Sequence, residues 1–232
     1  MAIEENQIDF FILGSQSIDR KQLMEQARLT PFIVLPSDYA ENDQASNPAR
    51  LAEIFAKKKC VSVLSKFRNQ IKQEDFIKTL PDDLSKKPTL QAVLITADTI
   101  VSFKSEVIGK ASNDFEAFAT LSKLEGQTHK LITAFHFMVL KIEIKPGLVD
   151  LIDEDFDHSI TKVKFNPLTH DQIRGYILTD EWRGRAGCYA IQSVASQFVK
   201  SIEGSHSGVI GLPISDLVSM LENMGYIVMP RP

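Results

Sequence analysis

The chain has 232 residues, 44% of them hydrophobic, and its 26 Lys and Arg stand against 30 Asp and Glu for a formal net charge of −4. That length and apolar content suffice to bury a substantial core, as one domain or two tightly joined lobes, while the missing basic excess argues against polymeric nucleic acid and leaves room only for a local cationic pocket. Cys60 and Cys188 lack metal-ligand spacing and read as reduced packing residues; the acidic opening Met1-Ala2-Ile3-Glu4-Glu5-Asn6 and the lack of a bilayer-length apolar run point to a cytoplasmic protein without membrane contact.

Ile8 to Leu13 predicts a first strand, followed by the small-residue loop Gly14-Ser15-Gln16-Ser17 and a helix over Arg20 to Leu29. Such a junction presents free backbone N–H groups and a positive helix end, a suitable seat for phosphate. Phe32-Ile33-Val34-Leu35 before Pro36 reads as a second short strand. Asn47-Pro48 supplies an N-cap with proline in the first helical position, opening a helix through Leu51, Phe55 and Ala56 toward Val63 that carries Lys57-Lys58-Lys59. Lysines in such a run ordinarily form a solvated helix face. From Lys66 to Pro88 the chain is polar and marked by turns at Pro81-Asp82-Asp83 and Lys86-Lys87-Pro88, longer than a compact core requires.

Val93 to Val101 is a β-branched apolar run with one carboxylate, Asp98, in its middle. An unpaired Asp in a buried strand is costly, so Asp98 is expected where the strand opens onto a cleft. The plainer alternative is that it caps a turn or pairs with a nearby lysine. Asn113 to Leu124 has helical apolar spacing ended by Gly126, and Lys130 to Lys145 reads as a long strand before a Pro146-Gly147 turn. The acidic segment Asp150 to Asp157 lacks calcium-ligand spacing and is expected as a solvated loop or edge. Thr161 to Phe165 alternates as a half-buried strand, His170 to Leu178 follows as a helix opened by Thr169, Ser201 to Gly211 reads as a glycine- and serine-rich loop, and Pro213 to Asn223 as a closing helix. His129, His136 and His206 have no flanking partner for nucleophilic or zinc chemistry and read as packing or hydrogen-bonding residues, as do Trp182 and Tyr176.

Five segments in order carry a family signature: Leu13-Gly14-Ser15-Gln16-Ser17-Ile18-Asp19-Arg20, Ala97-Asp98-Thr99-Ile100-Val101, Gly109-Lys110-Ala111, Arg185-Ala186-Gly187-Cys188-Tyr189-Ala190-Ile191-Gln192 and Val209-Ile210-Gly211-Leu212-Pro213. Together with Leu124-Glu125-Gly126-Gln127-Thr128-His129 they resemble the Maf family of nucleoside triphosphate pyrophosphatases over nearly the whole chain. The resemblance implies an α/β fold with a long, bent, mixed sheet, flanking helices and two lobes around a cleft, like the inosine triphosphate pyrophosphatases, in a single domain over 1–232 with an insertion at about 66–90. It also implies hydrolysis of a nucleoside triphosphate to the monophosphate and pyrophosphate with a divalent metal, Mg or Mn. Family members often dimerise, which leaves a homodimer open, and a link to septation rests on the family alone.

By the same resemblance Asp98 would be the general base or a metal-binding carboxylate, with Glu41 as the second acid near the metal. Ser15, Arg20, Lys59 and Lys110 would contact the phosphates. Gln192 would read the base edge, with Gly187 letting its loop approach the ring, in the manner of the branch acting on dTTP and UTP rather than on 7-methyl-GTP. The pattern departs at Asp19, where the family carries arginine. An anion facing a phosphate at about 5 Å would cost roughly 3 kcal/mol at an effective dielectric near 20. Lys21 compensating, Asp19 turning outward and Asp19 binding metal are all compatible with the sequence. The alternative functions are a catalytically weakened nucleotide-binding regulator linked to cell division and a family member with its base preference shifted to 7-methyl-GTP.

Overall fold

In the computed structural model the described residues are 6–228, and the acidic opening over residues 1–5 lies outside them. The chain runs β1 (Phe10–Leu13), α1 (Ile18–Gln26), β2 (Phe32–Val34), α2 (Pro48–Gln70), two single-turn helices α3 (Glu74–Ile77) and α4 (Asp82–Ser85), and then β3 (Thr89–Phe103) and β4 (Glu106–Ile108). α5 (Asp114–Leu124), β5 (Thr128–Glu143), β6 (Leu148–Phe165) and α6 (His170–Ile177) follow, with β7 (Val199–Glu203), α7 (His206–Ile210) and α8 (Ile214–Asn223) closing the chain. Among the described residues the strands form one mixed seven-stranded sheet in the order β2-β1-β3-β5-β6-β7, with β4 paired to β3. β1 lies parallel to both β2 and β3, while β5 and β6 are antiparallel to their neighbours.

The period of two along β3 and β5 sorts side chains onto two helical layers. Phe10, Ile12, Leu90, Leu94, Met138 and Leu140 meet Cys60, Val63, Leu64 and Phe67 of α2 on one face. Phe11, Leu13, Val93, Ile95, Phe135 and Phe137 meet Leu23 and Met24 of α1 and Leu217 and Leu221 of α8 on the other. Each such fully buried side chain contributes about 1.5–3 kcal/mol of transfer free energy, so this double-sided cover fixes the register of the strands. A third cluster packs Val101 and Phe103 with α5, α6 and the segment around Cys188 and Tyr189.

The local signals hold where the chemistry is local. Asn47 accepts from Ala49 N and Arg50 N ahead of Pro48, and Ser17 caps α1 two residues earlier than expected for the helix. Thr169 and Gln172 complete a reciprocal capping box on α6. α2 continues past Val63 to Gln70, because Phe67 and then Ile71 follow the apolar stripe into the core, where Leu80 and Leu84 also lie. Asp150 to Asp157 is the open margin of a long strand: β7 pairs with β6 only from Lys162 onward. The Ser201 to Gly211 loop is in fact the end of β7, a turn and the single-turn α7.

Candidate active site

A cleft of about 590 Å³ opens where the sheet is interrupted. β1 pairs with β3 only as far as Ile95, and β4 takes up the same side only from Val101. Between them Thr96 to Ile100 are bonded to β5 alone, so their other side faces the gap beyond the carboxyl ends of the parallel strands. That position is where open parallel sheets bind ligands. Gly14, which turns the chain out of β1, makes the gap possible: a Cβ there would lie 2.4 Å from Thr96 Cγ2 and 3.0 Å from Val63 Cγ2.

Alternation places Asp98 on the α2 face of β3 and Thr99 on the α1 face. Asp98 is 8% exposed and meets Lys59 from α2, its Oδ1 2.5 Å from Nζ. The same ammonium lies 2.6 Å from Oε1 of Glu41, which arrives on the loop after β2. Lys57 and Lys58 face solvent and Lys59 alone of the run turns inward. Both readings of Asp98 are thus realised, since it faces the cleft and pairs with a lysine. Burial raises the Asp98 carboxyl above the ordinary carboxylate range, against the pull of Lys59 and Arg20. Burial also pushes Glu41 upward, but the hydrogen bond and charge of Lys59, with Lys110 and Arg20, leave it below its ordinary value.

Arg20 sits in the first turn of α1 and reaches across the cleft floor. Its Nε donates to the Gly211 carbonyl at 2.7 Å, Nη1 to Ser15 Oγ at 3.1 Å and Nη2 to Thr99 Oγ1 at 3.4 Å. Thr99 is held in turn by Thr133, whose hydroxyl donates to the Gly208 carbonyl at 2.7 Å. Burial draws the Arg20 guanidinium below its ordinary value, opposed by Asp98, Glu41 and Asp19, and it stays charged at neutral pH. Lys110, exposed after β4, also lines the cleft.

Asp19 points into the cleft and is compensated there. Its carboxylate pairs with the guanidinium of Arg185 and accepts from Gln192 Nε2 at 2.6 Å. Lys21 is engaged with Glu25 instead and plays no part. Arg185 is itself oriented by donating Nε to the Glu181 carbonyl at 2.9 Å. Gln192 lies within the turn that leads into a short 3-10 segment beginning at Val194, whose N–H donates to the Glu181 carboxylate. Gly187 does not line the cleft: at φ 71° its missing side chain admits Val101, whose Cγ2 would lie 3.0 Å from a Cβ, so its smallness serves packing.

The structure therefore brings Ser15, Arg20, Glu41, Lys59, Asp98, Lys110 and Gln192 around one cleft or onto the residues that line it. Sequence reasoning missed Arg185, Thr99 and Thr133. Arg185 and Thr99 stood inside quoted motifs, but nothing in their spacing tells which partner they take. His129 is buried, with Nε2 2.8 Å from the Tyr189 hydroxyl, and burial draws its pKa down to about 4. His136 stacks on Phe156 beneath the sheet margin, and Trp182 and Tyr176 are core residues, the Tyr176 hydroxyl accepting from Ala190 N. Both cysteines are buried and free, and among the described residues no helix is long and apolar enough to cross a membrane.

Two carboxylates converging on one cation are the hard-oxygen donor pair that a magnesium-type ion takes from protein when phosphates supply the remainder. Among the described residues no group of three or more His, Cys, Asp or Glu is gathered, so Glu41 and Asp98 would hold such an ion only together with a ligand.

The family model of Maf-like proteins matches residues 10–224. A dTTP/UTP pyrophosphatase of Ruminiclostridium cellulolyticum is 34% identical over 92% of this chain and 95% of its own length. One of Pyrococcus abyssi is 32% identical over 95% and 98%, and one of Chelativorans sp. 30% identical over 93% and 91%. The motifs, the interrupted sheet and this end-to-end match agree, and the chain belongs to the Maf family.

Proposed function

We propose that the chain hydrolyses the α–β anhydride of a pyrimidine nucleoside triphosphate, dTTP or UTP, to the nucleoside monophosphate and pyrophosphate. The observation that carries this reading is Asp98: a carboxylate on a buried strand, facing the cleft, kept near a second acid by one lysine. A group raised above the ordinary carboxylate range is a better proton acceptor than a solvated Asp. Asp98 takes the proton of a water whose oxygen bonds to the α-phosphorus, and the bond to the α–β bridging oxygen breaks with pyrophosphate departing.

Arg20 and Lys110 offer charge to the phosphate oxygens, Arg20 through the planar fork that suits them. Ser15 and the N-terminal turn of α1 add hydrogen-bond donors at the same end of the cleft. Glu41 and Asp98 would hold a divalent cation, which when bound offsets phosphate charge. The cleft lining carries Arg20, Lys59, Lys110, Arg183 and Arg185 against Asp19, Glu41 and Asp98, an excess of positive charge suited to a polyanion. The alternative of a weakened nucleotide binder depended on an uncompensated Asp19, and Arg185 removes that motive. The relatives named dTTP/UTP pyrophosphatase support the pyrimidine choice. A cytoplasmic enzyme clearing surplus or non-standard nucleotides follows from this reading.

The test is pyrophosphate release from dTTP, UTP, CTP, 7-methyl-GTP and modified pyrimidine triphosphates with magnesium or manganese, beside Asp98→Asn. Release from dTTP and UTP that the Asn variant loses by about 10²–10⁴-fold is expected for a general base. The rate should fall as pH drops through the raised Asp98 pKa, because only the ionised carboxylate accepts the proton. Silence from every triphosphate, or undiminished release from Asp98→Asn, would overturn the reading.

A further inference from the structure

The contact between Asp19 and Gln192 decides more than charge balance. A glutamine side chain can face a ligand with either its carbonyl or its amino group, and the two arrangements have nearly the same shape. An ionised carboxylate accepts hydrogen bonds only. Asp19 Oδ1 stands 2.6 Å from Gln192 Nε2, and the reversed amide would set a carbonyl oxygen against a carboxylate. Arg185 holds Asp19 in place by direct pairing, and is itself tied to the Glu181 carbonyl. Gln192 is exposed on the cleft wall, and among the described residues its Oε1 takes no protein hydrogen bond.

We propose that Asp19 is a specificity-determining positioning residue that commits Gln192 to present its carbonyl oxygen to the base, so that the site selects bases offering a hydrogen-bond donor at that edge, with the ring N–H of uracil or thymine foremost. This rests on the nucleotide pyrophosphatase reading and deepens it. A cation at position 19 would orient the same amide in the opposite sense, carbonyl inward and amino group toward the ligand. The acid at this position therefore does not diminish the site; it inverts the polarity with which one wall reads a base. Asp19 touches no reacting atom and acts through Gln192.

The deciding experiment compares kcat/KM for UTP and N3-methyl-UTP, which differ at the ring N–H, across the parent chain, Asp19→Asn, Asp19→Glu and Gln192→Ala. A lost hydrogen bond at an exposed wall corresponds to roughly a tenfold preference for UTP in the parent. Asp19→Asn keeps the volume and can still accept from Arg185, but it tolerates either orientation of the Gln192 amide. The preference should fall several-fold there through loss on UTP, persist in Asp19→Glu and be lowest in Gln192→Ala. A purely structural role for Asp19 would lower both substrates alike and leave their ratio unmoved. An unchanged ratio in Asp19→Asn and Gln192→Ala, with UTP still hydrolysed, overturns the inference alone. No pyrophosphate from any triphosphate in the parent overturns the hydrolase reading and this inference with it.

Discussion

Replacing Lys59 by Met retains most of the alkyl stem and removes the ammonium shared by Asp98 and Glu41. Lys59 and Asp98 have side chains only 13% and 11% exposed, whereas Glu41 at 38% is partly screened by water. Removing one partner of a buried pair costs about 3–5 kcal/mol, and the residual access and the nearby Arg20 place the expected loss at the low end, about 3 kcal/mol, while Asp98 is ionised. That loss depends on pH with a definite sign. Asp98 already has a folded-state pKa above its unfolded value, and without Lys59 it rises further. A group raised on folding contributes stability fully below its unfolded pKa and loses it as pH climbs through the folded one. Glu41 acts in the same direction, because the depression it owes partly to Lys59 stabilises only above its unfolded pKa. The deficit of Lys59→Met should therefore be small near pH 4 and grow through the raised Asp98 pKa, about 1.4 kcal/mol for each unit by which the folded pKa moves. Urea unfolding of parent and variant at about pH 4.5 and pH 8, with slopes compared to confirm the same transition, measures it. A deficit independent of pH, or larger in acid, would refute the account of Lys59 as the cation that opposes the upward push of burial on Asp98.

Two further substitutions probe the frame of the cleft. Gly14→Ala puts a methyl 2.4 Å from Thr96 Cγ2, and the overlap should cost about 1–3 kcal/mol in thermal or urea unfolding; an unchanged midpoint would mean that the β1 exit is more yielding than the packing implies. The open margin of β6 carries Asp155 and Asp157, whose carboxylates accept from the main-chain N–H groups of Phe156 at 2.8 Å and His158 at 2.7 Å. Replacing both by Ala frees those donors and removes like charges from a strand edge, so light scattering should register a concentration-dependent increase in mass over the parent, and none if the edge is protected by other means.

What was legible in the sequence was whatever a few neighbouring residues decide. Asn47-Pro48, Thr169 with Gln172, and the β-branched run around Asp98 each determine a cap or a strand by local chemistry, and the structure keeps all three. Boundaries failed where tertiary burial extends a pattern: Phe67 and Ile71 carry α2 and its exit into the core although polar residues surround them. The acidic stretch in β6 looked like loop or edge because carboxylates suit a solvated margin. Its strand character comes from pairing with β5, which composition does not encode.

The site divides along the same line. Motifs identify Asp98, Lys59 and Arg20 as residues of interest, but their division of labour arises from strand alternation, which sends Asp98 toward α2 and Thr99 toward Arg20. Spacing could not reveal that Lys59 bridges two acids rather than standing free for phosphate. Nor could it judge Asp19. Its effect depends on Arg185, 166 residues away in sequence, and on Gln192 beyond it. Taken alone, an Arg-to-Asp departure removes a cation from a phosphate seat and implies decay. Once Arg185 closes the pair, the charge of Asp19 is balanced within that wall and its second contact is with the Gln192 amide. A charge reversal at a binding site is therefore evidence of lost function only when its new partner has been sought in space and not found.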